Sequence, residues 1–92
     1  MSKSIITNDM EHCFICGNPT VAYHHVINGV ANRKKSDKYG LIVPLCPRHH
    51  DEIHQNQKLD IKLKQLAQKK FEEVYGHEKF MEVFRKNYIE IP

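Results

Sequence analysis

Residues 45 to 54 read LCPRHHDEIH, which places one cysteine and three histidines within ten positions. Thiolates and neutral imidazoles bind zinc and similar divalent ions, whereas an ordinary hydrophobic core contains few such side chains. A second cluster stands earlier in the chain, where CFICGNP places Cys13 and Cys16 around a Gly-Asn-Pro turn. These residues predict metal binding, and the first question is how many ions they hold.

Helix geometry divides the ligands of the later segment into two pairs. Pro47 suits the first turn of a helix that begins next to Cys46. Successive helix residues are rotated by about 100° around the helix axis. With Cys46 at zero, His49 lies at about 300°, His50 at about 40° and His54 at about 80°. Cys46 therefore pairs with His49, and His50 pairs with His54 at i, i+4 spacing on one face. The two pairs predict two metal sites.

The first predicted site is closed and structural. Cys13 and Cys16 are separated by 29 residues from the C-x2-H pair of Cys46 and His49. Three thiolates and one imidazole match a tetrahedral zinc site that holds a fold together. A C2H2 finger fits poorly, because that module has a histidine about 12 residues after its second cysteine. His12 is a rival to His49 as fourth ligand, and free buried thiols are the alternative without metal.

The second predicted site is open and consists of imidazoles. His50 and His54 need further ligands, and the unused histidines are His24 and His25 in the first predicted strand. Adjacent strand residues point to opposite faces, so one histidine can bind the ion while the other acts differently. A neutral histidine beside a metal is suited to be a general base for water. The alternative is that each is a partly exposed polar residue.

The strands that must position these residues are short. β-Branched and aromatic residues predict strands over 20–27 and 39–45. Asn28 and Gly29 predict a turn after the first strand. Residues 28–38 are interpreted as a polar connection, and this connection contains several basic residues.

Three helices are predicted after the second strand. The first covers 47–55, the second ends before Gly76 and the third covers 78–88. Apolar residues recur at helical spacing in the second and third, which predicts core packing rather than a cofactor site. These residues are Leu59, Leu63, Leu66, Phe71 and Val74 in the second helix and Phe80, Val83, Phe84 and Tyr88 in the third.

Composition predicts a small intracellular protein. The chain has 92 residues, 14 basic and 11 acidic, with a formal charge of +3, which weakly favours an anionic partner. A single domain of this size has a marginal core that a metal can reinforce. Three cysteines without a signal-peptide pattern predict a reducing, cytoplasmic setting, and the absence of a long apolar run argues against a membrane span.

The order of these motifs resembles the HNH endonucleases of the ββα-metal, or His-Me finger, superfamily. Paired cysteines precede a His-His doublet, a second strand and a helix with H-x3-H. Residues 13–54 carry the resemblance, which is closest to small phage-encoded HNH nucleases such as recombination-enhancement proteins and extends to the metal half of colicin DNases. It implies an α+β fold with a treble-clef zinc core over 13–56, after an N-terminal tail (1–12) and before a C-terminal helical extension (57–92).

The resemblance also implies a role for each site residue. It makes His25 the general base and makes His24, His50 and His54 the ligands of a catalytic ion. It makes Cys13, Cys16, Cys46 and His49 the ligands of a structural zinc. The implied contacts to DNA are Arg33, Lys34, Lys35, Lys38 and Arg48. The catalytic ion is Mg²⁺, Mn²⁺, Ni²⁺ or Zn²⁺, and the implied reaction is hydrolysis of DNA phosphodiester bonds. Partners beyond DNA, such as a second copy or recombination proteins, stay open.

One position departs from the family pattern. The asparagine that braces the base-bearing loop falls five residues before Cys46, where this chain has Leu41. The resemblance therefore leaves open how His25 is oriented. A non-catalytic zinc module that binds nucleic acid or protein is the main alternative. A zincin protease fits less well, because Asp51 rather than glutamate follows His50.

Overall fold

Two strands and four helices make up the computed structural model, which describes residues 4–27 and 30–90. The fold is α+β, as predicted, with two antiparallel strands. The predicted turn at Asn28 and Gly29 lies outside the described residues. In chain order the elements are β1 (Ala22–His25), α1 (Val30–Tyr39), β2 (Ile42–Leu45), α2 (Pro47–Gln55), α3 (Gln57–Tyr75) and α4 (His77–Phe84).

The two strands lie where the sequence predicts them but are shorter. They pair with Ala22 opposite Leu45 and His25 opposite Ile42. Every residue of β2 is buried, whereas β1 is buried only at His24. Pro44 has no N–H to donate, yet its carbonyl accepts a 2.8 Å hydrogen bond from the Phe14 N–H. This bond attaches the cysteine-rich segment to the sheet.

The connection between the strands contains helix α1, which the interpretation of residues 28–38 as a polar connection did not predict. Helix α1 lacks an apolar stripe, so the periodicity that reveals most helices is absent. Polar contacts attach it instead: the buried Ser36 hydroxyl donates a 2.6 Å hydrogen bond to the carbonyl of Ile27. The Lys35 ammonium donates a 2.8 Å hydrogen bond to the carbonyl of Val83 in the last turn of α4. Contacts with residues outside the helix therefore hold α1 in place.

Helix α2 covers the predicted range. Pro47 occupies its first turn, and the carbonyl of Cys46 accepts the first helical hydrogen bond from His50 at 2.9 Å. Ile53 is the buried apolar residue of this helix. Asn56 then ends α2 and caps α3, because its side chain accepts a 3.2 Å hydrogen bond from the Leu59 N–H.

The last two helices pack their aromatic residues into the main core. Phe71 is fully buried and its ring contacts those of Phe80 and Phe84. Val74 does not belong to the buried stripe, since it is 61% exposed. Helix α4 ends at Phe84 rather than 88, because Arg85 adopts a left-handed φ of 59°. A single cluster of buried residues extends from the cysteine-rich segment to these helices.

The buried side chain of Gln68 holds the segment that follows α4 against α3. The Gln68 side chain accepts a hydrogen bond from the Tyr88 N–H and donates to Asn87 and Glu72, each at 2.8 Å. Gln65 adds a 2.9 Å bond to the Tyr88 carbonyl. Across residues 4–27 and 30–90, none of the helices combines the length and hydropathy needed to span a membrane.

Candidate metal centre

The first cysteine pair lies in a tight turn whose backbone is closed by hydrogen bonds. The Gly17 N–H donates to the Cys13 carbonyl, and the Cys13 N–H donates to the Asn18 carbonyl, both at 2.8 Å. Gly17 has a φ of 80°, which residues with a Cβ rarely adopt. The glycine therefore allows the chain to reverse so that Cys13 and Cys16 face the same point.

Cys13, Cys16, Cys46 and His49 form a group that could hold a metal ion, as predicted. Their ligand atoms all lie within 4.8 Å of one another. The Cys16 and Cys46 sulfurs are 3.7 Å apart, too far for a disulfide bond of about 2.05 Å. The His49 Nδ1 lies 3.3 Å from the Cys46 sulfur and 3.6 Å from the Cys13 sulfur.

These separations match those of ligands around one tetrahedral ion. Sulfur at about 2.3 Å and nitrogen at about 2.0–2.1 Å from a zinc ion are separated from each other by about 3.5–3.8 Å. His12, the rival fourth ligand, is exposed and its ring lies 2.9 Å from the Asp9 carboxylate. Among the described residues, His49 is therefore the imidazole that joins the three thiols.

The environment of Cys13 favours the thiolate that a metal requires. Burial by itself raises the pKa of this thiol, but hydrogen bonds from the backbone N–H groups of Cys46, Cys16 and Ile15 lower it to about 6. Cys16 behaves in the opposite way. A backbone hydrogen bond from Asn18 lowers its pKa, but burial and the neighbouring thiols outweigh this and raise it. The turn thus favours the thiolate at Cys13 and the protonated thiol at Cys16.

Three histidines, one from β1 and two from α2, form a second cluster of possible ligands. The ring of His24 in β1 lies 5.3 Å from that of His50 and 6.1 Å from that of His54, centre to centre. The His50 and His54 rings of α2 are 4.8 Å apart. Imidazoles that share one ion at about 2.0–2.1 Å have ring centres about 5 Å apart. The structure therefore brings His24, rather than His25, close to His50 and His54, and these three are the ligands that the resemblance implies for a catalytic ion.

His24 is the buried member of this trio and lacks a hydrogen-bond partner. It is 4% exposed, and its Nε2 is the buried side-chain nitrogen or oxygen that has no partner among the described residues. Burial lowers the pKa of His24 to about 4, and His50 and His54 lower it further, whereas the Asp60 carboxylate acts in the opposite direction. The His24 ring is thus neutral at ordinary pH. His50 is half-buried and His54 is exposed, so the trio opens to solvent.

His25, the next residue of β1, contacts helix α1. Its Nε2 lies 3.8 Å from a carboxylate oxygen of Asp37 in α1. Leu41, at the position of the expected asparagine, is fully buried in the core and offers no polar side-chain atom. Sequence reasoning missed Asp37, because a lone acid in a lysine-rich segment looks like an ordinary solvated residue.

The basic residues predicted to contact DNA have different surroundings. Arg33, Lys34 and Lys38 are exposed on α1, and Arg48 is exposed on α2. The Lys38 ammonium lies 5.5 Å from the centre of the Tyr39 ring. Lys35 is half-buried through its bond to α4. Four of the five therefore share helix α1 with Asp37, which contacts His25.

The chain belongs to a family described as "Protein of unknown function (DUF968)", whose model matches residues 8–87. The match covers the cysteine-rich turn, both histidine clusters and the C-terminal helices. No significant match was found to a curated protein or to a solved structure.

Proposed function

We propose that this protein is a metal-dependent HNH endonuclease that hydrolyses DNA phosphodiester bonds. The observation that carries the proposal is that the rings of His50 and His54 approach the ring of the buried His24, whose Nε2 has no hydrogen-bond partner among the described residues. A buried unpaired nitrogen is costly unless something binds it, and a divalent ion is the ligand that three imidazoles suit.

The Cys3His group has a different role in this proposal and holds a structural zinc. Three thiolates complete a closed tetrahedral shell that leaves no position for substrate. The group joins the cysteine-rich turn to the start of α2, so zinc there stabilises the element that presents His50 and His54. We expect Cys46→Ser to lose zinc and to unfold, because structural zinc supplies folding energy. A well-folded Cys46→Ser protein would remove the structural zinc from the proposal.

The open trio suits catalysis. His24, His50 and His54 are the residues that would hold the ion, which is Mg²⁺, Mn²⁺, Ni²⁺ or Zn²⁺. When bound, the ion supplies uncompensated positive charge for a phosphate and its leaving oxygen, because all three ligands are neutral. The trio is buried at one end and exposed at the other, which is the shape of a site that a large substrate approaches from outside.

His25 is the proposed general base. It takes a proton from a water molecule, whose oxygen then attacks phosphorus in line as the bond to the 3′ oxygen breaks. The 3′ oxygen leaves with a proton, which gives 5′-phosphate and 3′-hydroxyl ends. Arg33, Lys34 and Lys38 lie on the helix beside His25, where they can pair with backbone phosphates. Contact of Lys35 and Arg48 with DNA stays a prediction.

Plasmid cleavage with added divalent ions tests this function. We expect nicking with at least one of Mg²⁺, Mn²⁺, Ni²⁺ or Zn²⁺, and a loss of about 100-fold or more in His25→Ala, the range for removing a general base. His77→Ala is the matched control, since His77 is exposed at the start of α4 and pairs with Glu72. The nuclease proposal fails if no ion supports cutting, or if His25→Ala cuts as fast as His77→Ala.

A non-catalytic zinc module that binds nucleic acid or a partner protein is the second candidate. The observation that favours it is Leu41, which fills the core where the resemblance expects an asparagine. Metal content separates the two functions. One tightly held zinc per chain, with no second ion bound after addition of the four metals, supports the binding module. A second, exchangeable ion that is lost in His54→Ala supports the enzyme.

A further inference from the structure

The backbone around His25 is fixed on both sides of its contact with α1. The Val26 N–H donates a 3.0 Å hydrogen bond to the Leu41 carbonyl, and the Leu41 N–H donates a 2.8 Å bond to the Ser36 carbonyl. Ser36 in turn donates to the carbonyl of Ile27, two residues after His25. These bonds join the residues next to His25 to the residue before Asp37, so the two side chains are held beside each other.

The Asp37 carboxylate lies at the Nε2 end of the His25 ring. The His25 Nε2 and the Asp37 carboxylate oxygen are 3.8 Å apart, within ion-pair range and slightly beyond a hydrogen bond. Such contacts at reaction sites are often long without substrate and shorten when substrate binds. Leu41 offers no polar atom to the loop, so an acid from α1 is the group that meets His25.

A carboxylate at Nε2 determines what the other ring nitrogen can do. In a neutral histidine one nitrogen carries the proton and the other has a free lone pair, and a hydrogen bond at one nitrogen selects the tautomer. An acceptor at Nε2 keeps the proton there. Nδ1 then has the lone pair that a water proton needs.

We propose that Asp37 is the positioning residue of the general base: its carboxylate keeps the proton of His25 on Nε2 and presents Nδ1 to water. This inference rests on the proposed nuclease function. During the reaction the water proton moves to Nδ1, the carboxylate stays ionised and stabilises the imidazolium, and the proton leaves to solvent or to the 3′ oxygen. Asp37 itself touches neither substrate nor ion.

Kinetics separate this role from a general electrostatic one. Removing a negative charge beside Arg33 and Lys34 would by itself strengthen DNA binding and lower KM. We expect instead that Asp37→Ala lowers kcat by at least about tenfold, with KM changed by less than about twofold, because the loss falls on the chemical step. Asp37→Asn should recover part of kcat, since its amide oxygen can still accept the Nε2 proton. Asp37→Ala in the His25→Ala background should cause no further loss.

Glu73→Ala is the matched control variant. Glu73 is an exposed acid on α3 whose carboxylate lies 3.9 Å from the Lys70 ammonium, so the substitution removes the same charge and a similar pair. We expect wild-type kcat and KM. If Asp37→Ala changes only KM, or loses no more kcat than Glu73→Ala, Asp37 does not position the base.

Nitrogen-detected NMR of the histidine rings tests the contact independently of activity. With ¹⁵N-labelled, metal-loaded protein at a pH where His25 is neutral, we expect the Nε2-protonated tautomer in the wild type and a mixture in Asp37→Ala. An Nδ1-protonated His25 in the wild type overturns the inference. If the tautomer is as expected but the wild-type protein cuts no DNA, the proposed function fails while the contact stands.

Discussion

Loss of the His49 imidazole is the sharpest test of the Cys3His group. Its Nδ1 lies 3.3 and 3.6 Å from the sulfurs of Cys46 and Cys13, so His49→Ala removes one corner of the proposed zinc site. Three thiolates remain without their neutral partner, and water must fill the vacant position. We therefore expect weaker zinc binding together with a less stable fold.

The loss of stability in His49→Ala is worked out from the stabilisation that one of the four zinc ligands contributes. Structural zinc contributes about 10–16 kcal/mol in small zinc-dependent folds, so one ligand of four accounts for about 3–4 kcal/mol. A 92-residue chain has a total stability of about 5–14 kcal/mol, at about 0.05–0.15 kcal/mol per residue. Each kcal/mol corresponds to about 4–8 °C in Tm for a domain of this size. We expect His49→Ala to lower the Tm by about 12–30 °C.

Circular dichroism melting and zinc release to a chromophoric chelator measure the two effects on the same samples. His12→Ala is the matched control, because His12 precedes the same cysteine pair but is exposed and paired with Asp9. It should retain one zinc per chain and the wild-type Tm. If His12→Ala loses zinc as readily as His49→Ala, or if zinc-loaded His49→Ala melts with the wild type, the assignment of His49 to this group is refuted.

Three further predictions concern stability. In the metal-free protein, the free energy of unfolding should rise from about pH 6 to pH 9.0, because the Cys13 thiol loses its proton more readily in the folded state. Urea titrations across this range measure it, and a free energy that does not change with pH would contradict the prediction. Phe71→Ala should cost about 3–5 kcal/mol in urea unfolding, whereas exposed Val74→Ala should cost under about 0.5 kcal/mol, and equal effects would place Phe71 outside the core. Gln68→Ala should cost about 1–3 kcal/mol, since it leaves a buried backbone N–H unpaired, and wild-type stability would argue against this network.

Residue type and local spacing were enough to predict the Cys3His group that could hold a metal ion. The two C-x2 pairs predict Cys13, Cys16, Cys46 and His49 as one set, and their ligand atoms do converge. Helix periodicity separates His49 from His50 within the same short helix, because successive residues turn by about 100°. Strand alternation separates His24 from His25 in the same way. These inferences depend only on regular backbone geometry, which the sequence encodes locally.

Long-range contacts decided what local patterns could not. Helix α1 has no apolar stripe, and it is attached through Ser36 and Lys35 to carbonyls of Ile27 and Val83, 9 and 48 residues away. This attachment helps to bring Asp37 close to His25. The left-handed Arg85 shortens α4. The sequence therefore determined which side chains could bind metal, whereas the tertiary structure determined which acid stands beside the candidate base, because polar contacts between distant segments leave no periodic signal in the chain.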